Sequence, residues 1–221
     1  MCKIFTSRAF LVGVLGALVL LAIGFMAANS TPSVSSIISA FFPHSLLSKP
    51  KTLRAQDLAL PPLEIGDLVF RRGDSLESVI ISQVSHHHYT HLGLVISADP
   101  LLIIHATTDD NPSTQNQVII SPLDEFLFHA RSIAIKRLPL TNAQQESIAL
   151  SARAEQGRAF VIAEGSEALY CTTFVESVLA PHIALNLVYD EVNLPTWSGK
   201  YLFPRVFFDM PEGRLIYEKR L

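Results

Sequence analysis

The chain has 221 residues, of which 49% are hydrophobic and 17% are charged, and its formal net charge at pH 7 is -3. This length predicts one globular domain with an appendage rather than two domains. A small negative charge without a cluster of lysine and arginine argues against binding to DNA or RNA, because such binding depends on contacts with phosphates.

An apolar segment near the N-terminus, residues 11–27, follows the basic residues Lys3 and Arg8. Its length lies between that of a signal-peptide core and that of a membrane-spanning helix. We interpret residues 1–28 as a signal peptide or a transmembrane anchor, and both alternatives export the rest of the chain. The expected location is the periplasmic side of a bacterial inner membrane, or the periplasm itself if the segment is cleaved.

Residues 29–63 are rich in serine and proline, which is typical of a tether between an anchor and a domain. The domain proper is predicted to occupy residues 64–221. It begins at a turn containing Gly66 and Asp67 that leads into a short apolar strand. Asp67 is interpreted first as a turn-forming residue and second as a candidate for substrate binding.

The next segments alternate between helical and strand-like patterns. Ser75 is placed as the N-cap of a helix over about residues 76–84. The runs HLGLVIS and LLIIHAT, joined by a short turn at Pro100, predict a hairpin of two antiparallel strands. In the same hairpin, Gly93 is expected to leave room beside His91 for a neighbouring helix.

The second half of the domain continues in the same way. Strands are predicted at residues 118–121 and 132–136, and between them Ser121 is expected to cap a short helix with Pro122 at its first position. A helix is predicted over residues 142–156 and ends at Gly157. A strand-like segment, RLIYE, lies near the C-terminus, and the sheet is expected to be largely one antiparallel meander.

Cys171 is the only cysteine in the predicted exported domain, because the other, Cys2, lies at the N-terminus. The segment after it has apolar residues at helical spacing until Pro181, so Cys171 is predicted at or just before the first turn of a buried helix. Backbone amides and the helix dipole would lower the pKa of a thiol there, and the same amides can hold an oxyanion. A small buried cysteine without a catalytic role is the alternative.

A reactive thiol needs a histidine within hydrogen-bonding distance and a third polar group that orients the histidine. His91 is a candidate for the histidine because it begins a predicted strand, which fixes the direction of its side chain. His105 ends the neighbouring strand and is the candidate for the orienting group. His86, His87 and His88 are interpreted as loop residues at the rim of this site rather than as metal ligands, since adjacent residues rarely surround one tetrahedral ion.

Four short motifs together resemble a known family. They are GDLVF from Gly66, THLGLV from Thr90, GRAF ending at Phe160, and YCTTFV from Tyr170. In this order they are similar to the permuted papain-like amidases of the YiiX/YaeF type. These are circularly permuted relatives of the NlpC-type cell-wall peptidases, and the lecithin retinol acyltransferase group shares the permutation. The resemblance covers the chain from about Glu64 to the C-terminus.

The resemblance implies an α+β, circularly permuted papain-like fold in which a mainly antiparallel sheet packs against helices. It implies that Cys171 is the nucleophile, His91 the base and His105 the third polar residue. Tyr170, Phe160 and Thr172, within these motifs, are candidates for substrate binding together with Asp67. The family commonly has a glutamate two residues after the cysteine, where this chain has Thr173, so its specificity can differ.

The expected function is an exported thiol hydrolase that cleaves an amide, or an ester, in cell-envelope peptides such as peptidoglycan stems. Neither a metal nor another cofactor is expected, and the partners are the envelope substrate and the membrane. One alternative is a lipid acyl hydrolase or acyltransferase, suggested by the tether and by the apolar Phe203, Phe207 and Phe208. The other is a binding module that retains the fold without catalysis.

Overall fold

The computed structural model describes residues 52–108, 116–163, 165–194 and 197–221. They belong to a compact unit, Lys51–Leu221. The predicted anchor and the first part of the predicted tether lie outside the described residues. In the part of the chain that is described, we find no helix of sufficient length and apolarity to cross a membrane.

The last part of the predicted tether, residues 52–63, packs against the domain. The Leu53 side chain is buried, and its backbone amide donates a hydrogen bond of 2.7 Å to the carbonyl oxygen of Ala130. Leucine side chains that follow it are partly buried in the same apolar cluster. This segment therefore covers one side of the domain.

The helices and strands of the described ranges are, in chain order, β1 (Leu68–Gly73), α1 (Leu76–Ser85), β2 (His91–Ala98), β3 (Leu101–Thr107), β4 (Gln117–Pro122), α2 (Leu123–Phe126), β5 (Ala130–Arg137), α3 (Asn142–Ala154), α4 (Cys171–Leu179), β6 (Asp190–Leu194), β7 (Trp197–Tyr201), α5 (Pro204–Asp209) and β8 (Arg214–Arg220). The predicted helices and strands are present within a few residues of their expected bounds.

Six of the strands form one antiparallel sheet in the order β4-β3-β2-β1-β5-β8, and β6 pairs separately with β7. The hairpin of β2 and β3 is present as predicted. The strands β1 to β4 form a meander, but β5 returns to pair with the free side of β1, and β8 then pairs with β5. The expected single meander therefore holds for four strands only, and the fold is α+β with helices packed on an antiparallel sheet.

Each face of the sheet has its own apolar core. On one face, Leu92 and Leu94 of β2 pack with Phe174 and Val175 of α4. On the other face, Val95 packs with residues of α2 and with the segment that precedes β1. The helix that begins at Cys171 thus covers the face that carries Leu92, not the face that carries Val95.

Gly93 lies on the face opposite α4. A Cβ atom added to it would lie 2.6 Å from Ile103 Cγ2 and 2.8 Å from Phe126 Cε2. The expectation that Gly93 makes room for the helix carrying Cys171 is therefore wrong. Gly93 makes room for the ring of Phe126, because the side chains of a strand alternate between faces.

Helix ends agree with the predicted caps at α1 and differ at α2. The Ser75 side chain accepts a hydrogen bond of 3.3 Å from the Ser78 amide at the start of α1. In α2, Pro122 is the N-cap residue and Ser121 belongs to β4. The expected capping role of Ser121 is wrong, because the strand continues through it and turns its hydroxyl towards β3.

Candidate active site

Cys171 is the first residue of α4, as the apolar spacing predicts. Tyr170 is the N-cap residue, and its amide donates a hydrogen bond of 2.9 Å to Thr173 Oγ1. The buried face of the helix comprises Phe174, Val175, Val178 and Leu179. The backbone of Leu92 and that of Thr172 act on the Cys171 sulfur, where they lower the pKa of the thiol. The N-terminus of α4 therefore meets the sheet at the first residues of β2.

His91 and His105 are joined across β2 and β3. His91 Nε2 lies 2.9 Å from His105 Nδ1, and His105 Nε2 lies 3.2 Å from Ser121 Oγ on β4. Three side chains on three neighbouring strands thus form one hydrogen-bonded chain. Since Nε2 of His91 is engaged, Nδ1 is the remaining ring nitrogen that can exchange a proton with a nucleophile.

The hydrogen positions on the two histidine rings follow if Nδ1 of His91 accepts the proton of a nucleophile. A neutral His91 that accepts a proton at Nδ1 carries its hydrogen on Nε2. That N–H then donates to His105 Nδ1, and the N–H at His105 Nε2 donates to Ser121 Oγ. The tautomer of His91 thus requires that of His105, and the Ser121 hydroxyl, which can donate or accept, is compatible with it.

Arg71 and Phe126 surround the two histidines. Arg71 Nη1 donates hydrogen bonds of 2.8 Å and 2.9 Å to the carbonyl oxygens of Phe126 and Phe128. The Phe126 ring centroid lies 5.7 Å from that of His91 and 5.0 Å from that of His105. The pair of histidines thus packs against an aromatic ring, and the Arg71 guanidinium lies over the same ring, 5.3 Å from its centroid.

This environment keeps both histidines neutral. Burial, followed by the charges of Arg71 and of His105, holds the pKa of His91 well below its ordinary value of 6.5. Burial and then Arg71 lower the pKa of His105 to about 3. The histidines are therefore neutral throughout the physiological range, which is the state in which one of them can act as a base.

The pKa of the Cys171 thiol is raised, although its position at a helix N-terminus predicts a lowered pKa. Burial raises the pKa of Cys171 to about 11, while the hydrogen bonds from Leu92 and Thr172 and the charge of Arg71 act in the opposite direction. Removal of the sulfur from water thus outweighs the stabilisation of the thiolate by the helix N-terminus. The expected low pKa is wrong for the resting protein, in which Cys171 is a thiol and His91 a neutral imidazole.

Cys171 and His91 line the same cavity, whose volume is about 190 Å³. Its wall is mainly apolar and aromatic. The contributing side chains include Phe160, Ile162, Trp197, Tyr201, Leu202 and Phe203. The β6–β7 hairpin supplies two of them, so a part of the fold outside the main sheet closes this cavity.

A second cavity of about 600 Å³ adjoins the first. It is lined by His105 and Ser121 and by acidic side chains that include Asp74, Asp124 and Glu125. Arg71 and Glu77 line both cavities, so they lie where the two meet. Cys171 lines the first cavity and does not line the second.

The candidate substrate-binding residues divide into two groups. Tyr170, Phe160 and Thr172 line the cavity that contains Cys171. The Tyr170 hydroxyl accepts a hydrogen bond of 2.8 Å from the Leu202 amide, and the Thr172 hydroxyl donates one of 2.6 Å to the Leu202 carbonyl oxygen. Both side chains therefore hold the segment after β7 against the start of α4.

Asp67 lies elsewhere. Its carboxylate is buried and accepts hydrogen bonds of 2.9 Å and 2.7 Å from Arg137, and it also accepts one of 2.8 Å from the Glu64 amide. It lines neither cavity. Asp67 therefore stabilises the turn before β1, which is the first of its two interpretations.

The three adjacent histidines are directed away from the site. His86 is the C-cap residue of α1 with a φ of 51°. The His87 ring lies 5.1 Å from that of Phe208, and His88 Nε2 lies 2.8 Å from Ser132 Oγ. None of the three lines either cavity. Their expected place at the rim of the site is wrong, because the end of α1 turns them towards β5 and α5.

Arg71 and Ser121 are the site residues that the sequence interpretation misses. Arg71 faces His91 in the register of β1 and β2, and Ser121 reaches His105 across β4. The alternation of polar and apolar residues in each strand could have placed both on the same face as His91. Finding them also requires the strand pairing, which distant parts of the chain determine.

The geometry can be compared with known proteins. Residues 62–212 match the family of permuted papain-like amidase enzymes, YaeF/YiiX, C92. The fold is similar to the crystal structure of the metalloprotein yiiX from Escherichia coli O157:H7, with a TM-score of 0.62 and 17% identity over 73% of this chain and 100% of that chain. No curated protein matches the sequence. The match over residues 62–212 shows that the chain belongs to the C92 family of permuted papain-like amidases.

Proposed function

We propose that the protein is a cysteine hydrolase in which Cys171 attacks an amide or ester carbonyl and His91 is the base. The observation that carries the proposal is one cavity lined by both residues, with the far nitrogen of His91 bonded to His105. Membership of a family of permuted papain-like amidases supports hydrolysis, and amide bonds in particular. His105 and Ser121 are positioning residues in this scheme.

The reaction begins with a neutral thiol and a neutral imidazole. As the sulfur bonds to the carbonyl carbon, the thiol proton passes to Nδ1 of His91, and backbone amides at the start of α4 can hold the oxyanion. His91 returns the proton to the leaving amine or alcohol as the C–N or C–O bond breaks. Water then attacks the thioester with His91 again as base, which releases the acid and restores the thiol.

Cell-envelope peptides remain the substrates that the predicted exported location favours. The exported location and the membrane tether are proposals based on the sequence of residues 1–28 and 29–63, respectively. A lipid acyl hydrolase is the second candidate, and the apolar wall of the cavity beside Cys171 favours it. A binding module without catalysis is the third candidate.

A metal has no part in the proposal. The similar crystal structure is that of a metalloprotein, which is a property of that protein. Among the residues that the structure describes here, no three or more histidine, cysteine, aspartate or glutamate side chains converge as ligands for an ion. The facing nitrogens of His91 and His105 bond to each other, so this donor set does not fit a metal.

The decisive experiment compares the wild-type protein with Cys171→Ala on a panel of muropeptides, acyl amides and acyl esters. We expect the substitution to reduce turnover by at least about a thousandfold, since the nucleophile is removed. Mass spectrometry of the wild-type protein should detect an acyl group on Cys171. Cys2→Ala is the matched control and should retain activity.

Two outcomes would contradict the proposal. Turnover that persists in Cys171→Ala would assign the nucleophile to another group. If no member of the panel is hydrolysed and Cys171→Ala binds panel members as the wild type does, the binding-module alternative is correct.

A further inference from the structure

The wall of the cavity beside Cys171 is largely apolar, and its charged members, Arg71 and Glu77, lie where it meets the neighbouring cavity. Among the described residues, the side chains that line this cavity and not the neighbouring one carry no formal charge, since His91 is neutral. The wall includes aromatic and aliphatic groups from five separate segments of the chain. Away from Arg71 and Glu77, an ionised group would find no charged partner in this wall to offset its loss of hydration.

The neighbouring cavity has the opposite character. Its wall carries the carboxylates of Asp74, Glu77, Asp124 and Glu125, together with Arg71 and His129. The Asp74 carboxylate lies 3.4 Å from His129 Nδ1. The two cavities meet at Arg71 and Glu77, and the sulfur of Cys171 belongs to the apolar side.

This division orients a substrate. The carbonyl carbon must lie at the Cys171 sulfur, with the acyl chain on one side of the bond and the leaving group on the other. The apolar cavity, which Cys171 itself lines, suits a hydrocarbon chain. The polar cavity, which His105 and Ser121 line, suits a hydrated leaving group.

We propose that the cavity lined by Phe160, Ile162, Trp197 and Leu202 binds the straight hydrocarbon chain of an acyl amide or acyl ester. The proposal rests on the function proposed above and assigns its substrate class. The acyl chain becomes bonded to Cys171 as a thioester while the amine or alcohol leaves through the polar cavity. Away from Arg71 and Glu77, the wall offers no charged partner to the side chains of a peptide acyl group, so it favours a hydrocarbon chain.

Trp197 provides a direct measurement, because it is the only tryptophan of the chain and lines the cavity. Its fluorescence in Cys171→Ala is followed during titration with straight-chain primary amides from butanamide to decanamide. We expect affinity to rise about three- to fourfold per methylene, which corresponds to about 0.8 kcal/mol, and then to reach a plateau when the cavity is full. Trp197→Phe should abolish the signal.

A pair of matched variants tests where the acyl chain of the ligand binds. Ile162 lines the cavity although its side chain is 60% exposed, so it lies at the mouth. Val188 is 72% exposed, also lies outside regular structure and lines neither cavity. Ile162→Asp should weaken binding of octanamide about tenfold, whereas Val188→Asp should leave it unchanged. Equal effects of the two variants, or affinity independent of chain length, would overturn the acyl-chain site.

Hydrolysis of 4-nitrophenyl esters separates this proposal from the proposed function. Cys171-dependent hydrolysis that increases from acetate to octanoate supports both the acyl-chain site and the cysteine hydrolase. Cys171-dependent hydrolysis without a preference for chain length overturns the acyl-chain site and leaves the hydrolase intact. Chain-length-dependent binding without Cys171-dependent hydrolysis supports the site and contradicts the hydrolase.

The same acyl chain could come from a membrane lipid or from a small acyl amide. Fatty acid released from phosphatidylethanolamine vesicles would identify a lipid donor. Release only from N-octanoyl ethanolamine would identify a small donor. Cleavage of muropeptides with release from neither acyl donor would overturn the proposal.

Discussion

The Cys171 thiol and the His91 imidazole share a cavity, yet burial shifts their pKa values away from those that would give an ion pair. Burial raises the pKa of Cys171 to about 11, and burial with Arg71 and His105 lowers that of His91 well below 6.5. Between these values both groups are uncharged. The proton must therefore move when the substrate carbonyl is attacked, rather than before the substrate arrives.

Alkylation of Cys171 tests this resting state. The rate of modification by iodoacetamide should increase about tenfold per pH unit from neutral pH upward, because the thiolate fraction limits the reaction. The chain contains two cysteines, so the label is assigned to Cys171 by peptide mapping. A rate that stays constant between pH 5 and pH 8 would indicate a preformed thiolate–imidazolium pair and contradict this prediction.

The strand β2 presents different chemistry on its two faces. Leu92 meets α4, whereas His91 and Gly93 lie on the side of α2. The short helix α2 thus carries Phe126 into contact with both histidines, although the helix has only four residues. Gly93 is the residue that permits this contact.

Substitution Gly93→Ala should lower the free energy of unfolding by about 1 to 3 kcal/mol, because the new methyl group overlaps Ile103 and Phe126. Urea unfolding measures the change. In the double variant with Phe126→Leu, the space is restored, so the two effects should be less than additive by at least about 0.5 kcal/mol. Strict additivity would show that Phe126 is not the group that Gly93 accommodates.

For the molecule as a whole, the buried neutral histidines make stability depend on pH. The pKa of His105 is about 3 in the folded protein against an ordinary value of 6.5, so the unfolded chain binds a proton that the folded chain does not. The contribution of neutral His105 to the free energy of unfolding is therefore fully present above pH 6.5 and decreases as the pH falls from 6.5 towards 3.

Between pH 7 and pH 5, His105 should reduce the free energy of unfolding by about 2 kcal/mol. His105→Gln removes the titrating group and can retain hydrogen bonds to His91 and Ser121. Urea unfolding at both pH values should show a smaller loss in this variant by that amount. An equal loss in both proteins would mean that His105 does not contribute to the acid sensitivity.

Much of the local structure follows from the sequence. The 3.6-residue spacing after Cys171 predicts the buried helix that begins there, and the alternating runs around Pro100 predict the β2–β3 hairpin. The order of four motifs indicates the family, which residues 62–212 match. The helix and the hairpin depend on contacts between residues that are close together in the sequence, and local backbone geometry decides these contacts.

What the sequence alone determined is thus the position of each candidate group along a helix or strand. The tertiary structure decided that β5 returns to β1, that α4 covers the face opposite Gly93, and that Arg71 and Ser121 join the two histidines. It also decided the resting protonation of Cys171, because desolvation depends on every segment that excludes water from the sulfur. Such burial arises from parts of the chain far apart in sequence, and no local pattern records it.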